Sequence, residues 1–148
     1  MQFWLFKSEP GTWSWEDQVG AEPPCQEWDG VRNYQARNFM RQMKRGDLGF
    51  FYHSVNEKRI VGIVEVCREA HPDSTTDDPR WECVDVQAKC ALPRPVLLGE
   101  IKADPRLAEM VLVTNSRLSV QPVRPAEWRI ICEMAGFGKV PGVDPGAC

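Results

Sequence analysis

The sequence predicts an α+β domain built on a strongly curved, mostly antiparallel sheet or small barrel. Strand-like runs crowd the middle of the chain, helical periodicities lie between and around them, and no regular β-α-β alternation is present. At 148 residues the length suits one domain, able to bury about two thirds of its unfolded surface without a disulfide staple.

FWLFK (3–7) is apolar on both faces of a strand, which suits a central position in a sheet. No positive n-region precedes it, and Lys7 and Glu9 interrupt the apolar stretch, so a first strand is expected and not a signal peptide. SEPGTWSWEDQVG supplies a turn at Pro10-Gly11 and then a short helix, with Ser14 as N-cap and Asp17 three residues later. Residues 20–30 read as loop. From Asn33 the run NYQARNFMRQMKRG reads as a helix whose apolar stripe is Ala36, Phe39, Met40 and Met43, with Gly46 as its stop.

LGFFYHS (48–54) and RIVGIVEVCREA (59–70) read as strands joined by a polar hairpin-like link, and a third strand is expected at 81–92, after HPDSTTDDP. The two prolines of LPRPV argue against continuing that strand into a sheet interior. Short helical pieces around 98–102 and 105–110, a strand at 115–123 and a helix at 125–136 follow, the last with Pro125 near its start and Gly136 past its end. The domain is therefore expected to span 1–136. Residues 137–148, FGKVPGVDPGAC, are rich in Gly and Pro and are expected to form a poorly ordered C-terminal tail.

With 43% apolar and 26% charged residues and only short apolar runs, neither disorder nor a membrane span fits. The cysteines at 25, 67, 83, 90, 132 and 148 form no C-x-x-C pair, so six reduced thiols are expected, several as small core residues, and no metal or cofactor. P-loop, G-x-G-x-x-G and G-x-S-x-G motifs are all missing. Ser8, Glu9 and His53 come with neither a nucleophile elbow nor a third orienting partner, so no enzymatic activity is expected.

One stretch stands out against a net charge of −3. WDGVRNYQARNFMRQMKRG (28–46) carries Arg32, Arg37, Arg41, Lys44 and Arg45 with no acidic residue after Asp29, a pattern that suits phosphate contacts but also an ordinary solvated helix face. Trp28, beside the turn pair Asp29-Gly30, is either a staple on the following helix or a stacking platform for a base.

KSEP (7–10), WDGVRNYQARNFM (28–40), GDLGFFYHS (46–54), VGIVEV (61–66) and SRLSVQPV (116–123) resemble, in order and spacing, the EVE-domain family. The resemblance covers residues 2 to about 136. It implies a PUA-like pseudobarrel and similarity to YTH modules, which hold a methylated adenine in an aromatic cage. The implied function is non-enzymatic reading of a modified base in DNA or RNA. On this reading Lys7 and Ser8 border the pocket at the end of the first strand, Trp28 is one cage wall, and Asn33 and Tyr34 follow it. The second aromatic wall stays open among Tyr52, His53 and Trp81. Arg117 and Ser119, on the polar side of a late strand with Asn115 and Ser116, are candidates to read the edge of an extruded base. The expected chain is monomeric and off the membrane, in the cytoplasm of a bacterium or the nucleus of a eukaryote. Two other readings are a free-nucleotide or small-molecule module using the same pocket, and a protein adaptor using helix 33–45.

Overall fold

Alternate residues of the first strand, β1 (Phe3–Ser8), enter two different cores. In the computed structural model, which describes residues 1–148, Phe3 and Leu5 join one core while Trp4 and Phe6 join the other. A strand apolar on both faces needs both faces covered, and this requirement organises the molecule. The chain continues through α1 (Trp15–Val19), the short β2 (Gln26–Glu27), α2 (Tyr34–Gln42), β3 (Leu48–His53), β4 (Arg59–Pro72) and β5 (Glu82–Leu97). Then come α3 (Leu98–Ala103), a 3-10 turn (Pro105–Leu107), α4 (Val111–Thr114), β6 (Val120–Val123) and α5 (Pro125–Met134).

The six strands form one sheet in the order β2-β5-β4-β3-β1-β6. Only β1 and β3 run parallel, with Phe3 opposite Leu48 and Ser8 opposite His53; the other neighbours are antiparallel. A β-α-β crossover absent from the sequence reading therefore exists, made by the stretch that carries α1, β2 and α2. Register shifts interrupt the β3–β4 ladder once and the β4–β5 ladder repeatedly. Such bulges bend a sheet, so the fold is the expected α+β architecture around a curved, mostly antiparallel sheet.

Local caps explain the two helices nearest the site. Ser14 and Asp17 form a reciprocal capping box on α1, and the Asn33 side chain accepts from the Ala36 N–H at the start of α2. Ala36, Met40 and Met43 are buried as the stripe predicts. Buried Asp47 fixes the end of this helix segment to β1, accepting from the Lys44 N–H and the Trp4 indole N–H, both at 3.0 Å.

Four expectations are corrected. β5 runs through the two prolines to Leu97, because Pro93 and Pro95 lie in a bulge between the pairs Gly62–Ala91 and Ile60–Val96, where no ladder bond is asked of them. The strand expected at 115–123 contracts to Val120–Val123. Cys25–Cys67 and Cys90–Cys148 are disulfides, and only Cys83 and Cys132 are free, both buried. Sequence separations of 42 and 58 conceal Cα distances of 6.3 and 6.0 Å, within bonding reach. The C-terminal segment is tied down as well: Val140 is buried, the Trp128 indole N–H donates to the Pro141 carbonyl at 2.8 Å, and Cys148 is covalently held. No helix is long and apolar enough to cross a membrane.

Candidate functional site

A cleft of about 580 Å³ opens at the C-terminal end of β1. Its lining comes from Lys7 to Glu9, from Thr12 and Trp13 in the turn before α1, from β2 and the loop to Arg32, and from Ser119 just before β6. β2 is one edge of the sheet and β6 the other. The cleft is thus the place where a curved sheet brings its opposite edges face to face.

Two tryptophans line it. The Trp28 N–H donates to the Val84 carbonyl at 2.8 Å, and its indole, only 8% exposed, packs edge-on against Phe6 and Phe51 at 5.2 and 5.6 Å. Gly30 follows at φ +76°, a conformation that favours glycine, and its N–H donates to Asp73 at 2.9 Å. Trp13 is held from three sides. Its N–H donates to the Glu9 carbonyl, its carbonyl accepts from the Ser8 hydroxyl at 2.5 Å, and its indole N–H donates to Gln18 at 2.9 Å. Behind it Trp15 lies on β4 over Gly62, where any Cβ would run into the indole ring. Both cleft tryptophans therefore sit on backbone that is already fixed.

The polar groups divide into engaged and free. Lys7 Nζ donates to the Ser116 carbonyl at 2.7 Å, and burial lowers its pKa. Burial works against the Asp73 carboxylate, but bonds from Thr75, the Gly30 N–H and Arg32 outweigh it and bring the pKa to about 2. Glu27 is likewise held below its ordinary value: burial raises it, and the Ser74 hydroxyl and N–H, at 2.7 and 3.0 Å, more than compensate. Asp29 differs. Burial, then the charges of Asp73 and Glu27, raise its pKa. Its carboxylate lies in the cleft wall without a hydrogen bond from the rest of the protein.

Of the sequence-predicted residues, Lys7, Ser8, Trp28 and Ser119 line this cleft together with Arg32. The others are placed elsewhere. Asn33 is spent as the α2 cap. Tyr34 stands on the surface, stacked on Trp81 at 4.9 Å. Tyr52 is buried in the core, with Lys7 Nζ 5.9 Å from its ring centre. His53 is buried too, its Nε2 accepting from the Trp15 N–H at 3.0 Å and its Nδ1 facing Glu57 at 2.9 Å. Arg117 is exposed outside the lining. The second aromatic of the cleft is Trp13, and not Tyr52, His53 or Trp81, the three candidates for that wall. The one sequence signal for it is its place in a tight turn directly after the KSEP motif.

The basic stripe is less free than its sequence suggests. Arg41 pairs with Glu82 of β5 and Arg32 with Asp73 at 3.1 Å, whereas Arg45 meets Glu69 only through its backbone N–H. Arg37 donates to the Arg80 carbonyl at 2.9 Å and, like Lys44, has no carboxylate partner. Segment 30–46 lacks acidic residues in sequence, but the sheet delivers them in space. Glu27, His71 and Cys83 put ligand-type atoms within 4.8 Å of one another. All three are already engaged: His71 by the Pro72 carbonyl and Asp85, Glu27 by Ser74, and the Cys83 thiol by Glu27.

The EVE domain family matches residues 2–134. Human thymocyte nuclear protein 1 is 37% identical over an alignment covering 88% of this chain and 72% of that protein. Among solved structures, a protein of Agrobacterium tumefaciens superposes with a TM-score of 0.93 at 53% identity, covering 98% of this chain and 99% of the other. The human THYN1 protein in complex with 5-methylcytosine-containing DNA superposes with a TM-score of 0.86 at 36% identity, covering 93% and 99%. A YTH domain, that of Zygosaccharomyces rouxii MRB1 in complex with N6-methyladenosine RNA, shares the fold at a TM-score of 0.56 and 18% identity, covering 92% and 87%.

Proposed function

Because the chain belongs to the EVE-domain family, we propose that it is a non-enzymatic nucleic-acid-binding module that holds a modified base in the cleft lined by Trp13 and Trp28. The observation that carries this reading is the pairing of two pre-positioned indoles with inward polar groups in one cleft of about 580 Å³. That volume lies in the usual range for small-ligand sites, about 300–1,000 Å³. A base taken out of its stack loses stacking, and an aromatic surface fixed in advance returns about 1–3 kcal/mol per base. Lys7, Ser8, Asp29 and Ser119 would meet the polar edge of the base. Asn33, Tyr52, His53 and Arg117 lie outside the cleft lining.

The engagement of the candidate nucleophile and base supports the non-enzymatic reading. The Ser8 hydroxyl donates to a carbonyl and not to a base, and His53 is committed to the Trp15 N–H and Glu57. Arg37, Lys44 and Arg45, beyond the Arg32 rim, suit phosphates on either side of the held nucleotide, whereas Arg32 and Arg41 are partly offset by Asp73 and Glu82. The compartment is the one that holds the nucleic acid, bacterial cytoplasm or eukaryotic nucleus.

The human relative solved with 5-methylcytosine-containing DNA makes that base the first to test. Fluorescence anisotropy with single-stranded and duplex oligonucleotides carrying one 5-methylcytosine, 5-hydroxymethylcytosine or N6-methyladenine, beside unmodified controls, should find one modification bound about tenfold tighter, the equivalent of about 1.4 kcal/mol. Equal affinity for every strand would defeat the reading. Equal affinity for the matching free nucleotide and the strand would favour a free-nucleotide module.

A further inference from the structure

Beside the cleft, the start of α2 and the 73–81 loop build a second aromatic feature. Four side chains form a continuous ladder: the Arg37 guanidinium lies 4.9 Å from the Tyr34 ring centre, Tyr34 stacks on Trp81 at 4.9 Å and 25°, and Arg32 lies 5.5 Å from the Trp81 ring centre. Arg80 adds a hydrogen bond from its guanidinium to the Tyr34 hydroxyl at 3.1 Å. Tyr34 is nonetheless 49% exposed.

Neither element needs the Tyr34–Trp81 stack to stay in place. α2 is capped by Asn33 and anchored by Ala36, Met40 and Met43, while the loop is knotted by Asp73 and Thr75. The exposed Tyr34, beside a guanidinium of Arg37 that has no carboxylate partner, is therefore a surface offered to something, and Arg32, paired with Asp73, extends it past the half-buried Trp81. Its chemistry is specific. Stacked arginines lose little further freedom when they meet an anion, and a ring pair with a guanidinium at each end offers a base a π-face and a phosphate a cation beside it. Arg32 also lines the cleft, so ladder and cleft are one continuous surface.

We propose that this Arg37–Tyr34–Trp81–Arg32 ladder is a second nucleic-acid contact, which holds the strand flanking the base in the cleft. Phosphates meet the guanidiniums of Arg32 and Arg37, and a neighbouring base lies against Tyr34. The contact is indifferent to modification, because every base has a π-face and every nucleotide a phosphate. It rests on the reading of the chain as a nucleic-acid binder, but not on which base the cleft selects.

The test uses the Tyr34→Ala/Trp81→Ala double variant, with Tyr34→Phe as a control that keeps the stack and removes only the Arg80 bond. Affinity is measured for strands of about ten nucleotides, with and without the modified base, across a salt series, after a thermal melt confirms folding. The double variant should bind both strands about tenfold or more weakly, keep the ratio between them, and flatten the slope of log K against log salt by about 0.7–1.4, the loss of one or two phosphate contacts. Tyr34→Phe should stay near the parent. Unchanged affinity and slope in the double variant would overturn the proposal. So would a lost ratio between the two strands, which would make the ladder part of the base site, or displacement of the strand by an acidic polypeptide that binds more tightly with the same sensitivity. If the parent does not distinguish the strands but the double variant still loses affinity for both, base reading fails and the ladder stands.

Discussion

Trp28→Ala should unfold the protein at a distinctly lower temperature as well as weaken base binding. The indole is 8% exposed and packed edge-on against Phe6 and Phe51. A tryptophan of this kind buries up to about 250 Å², which at about 25 cal/mol per Å² gives an upper bound of about 6 kcal/mol. Large aromatic-to-alanine changes in cores cost about 3–5 kcal/mol. For a domain of this length that means a Tm lower by about 10–15 °C, and a large share of the usual 5–15 kcal/mol of total stability. Stacking loss adds about 1–3 kcal/mol to the binding defect. Turn position alone argues for an intact fold, and burial reverses that argument. The assay is a circular-dichroism melt without ligand, followed by anisotropy at a temperature where the variant is folded. Trp28→Phe, which keeps an aromatic in the core, should recover most of the stability. A Trp28→Ala melt within about 3 °C of the parent would refute the packing argument. A low melt with unchanged affinity in the folded variant would remove Trp28 from the ligand site.

Trp13→Ala should separate the two effects better: the ring is only half-buried, so a loss of about 1–2 kcal/mol in stability should accompany a binding loss of about 1–3 kcal/mol, and normal binding of the modified strand would leave the cleft with one aromatic wall. Asp29→Asn should leave stability unchanged or raise it by up to about 0.5 kcal/mol, because it relieves repulsion by Asp73 and Glu27. The same change should alter selectivity among bases in the anisotropy panel, and an unaltered panel would free Asp29 of any role in reading. Asp73 titrates at about 2 against an ordinary 3.8, so its contribution is fully present above about pH 4 and is lost as the pH falls through 2. Discounted for the solvent around Arg32, that contribution is about 1–2 kcal/mol. Asp73→Asn should lower the urea midpoint at pH 7 accordingly and flatten its decline between pH 4 and 2; a variant with the parent's acid profile would show that the carboxylate knot is idle.

The local features of this protein were legible in its sequence because their causes are local. Ser14 and Asp17 cap α1 from three residues apart, and the Ala36, Met40, Met43 stripe puts one face of α2 inward at helical spacing. The runs that form β1, β3 and β4 carry their own apolar pattern. Five motifs in fixed order were enough to point to the EVE-domain family, and with it the curved sheet. What the sequence left open are the contacts that depend on how that sheet closes. Trp13 and Tyr34 are both aromatic residues beside polar motifs. Only the meeting of the β2 edge with the β1–β6 edge puts Trp13 in the cleft and leaves Tyr34 outside on Trp81. The basic run looked unpaired because its carboxylates, Asp73 and Glu82, lie about forty residues further along and arrive through β4 and β5. The same long-range closure brings Cys25 to Cys67 and Cys148 to Cys90. Periodicity decides which side of an element faces inward; what stands on the other side is decided by the bulges and crossovers that bend the sheet, and these join residues too distant for any local pattern to record.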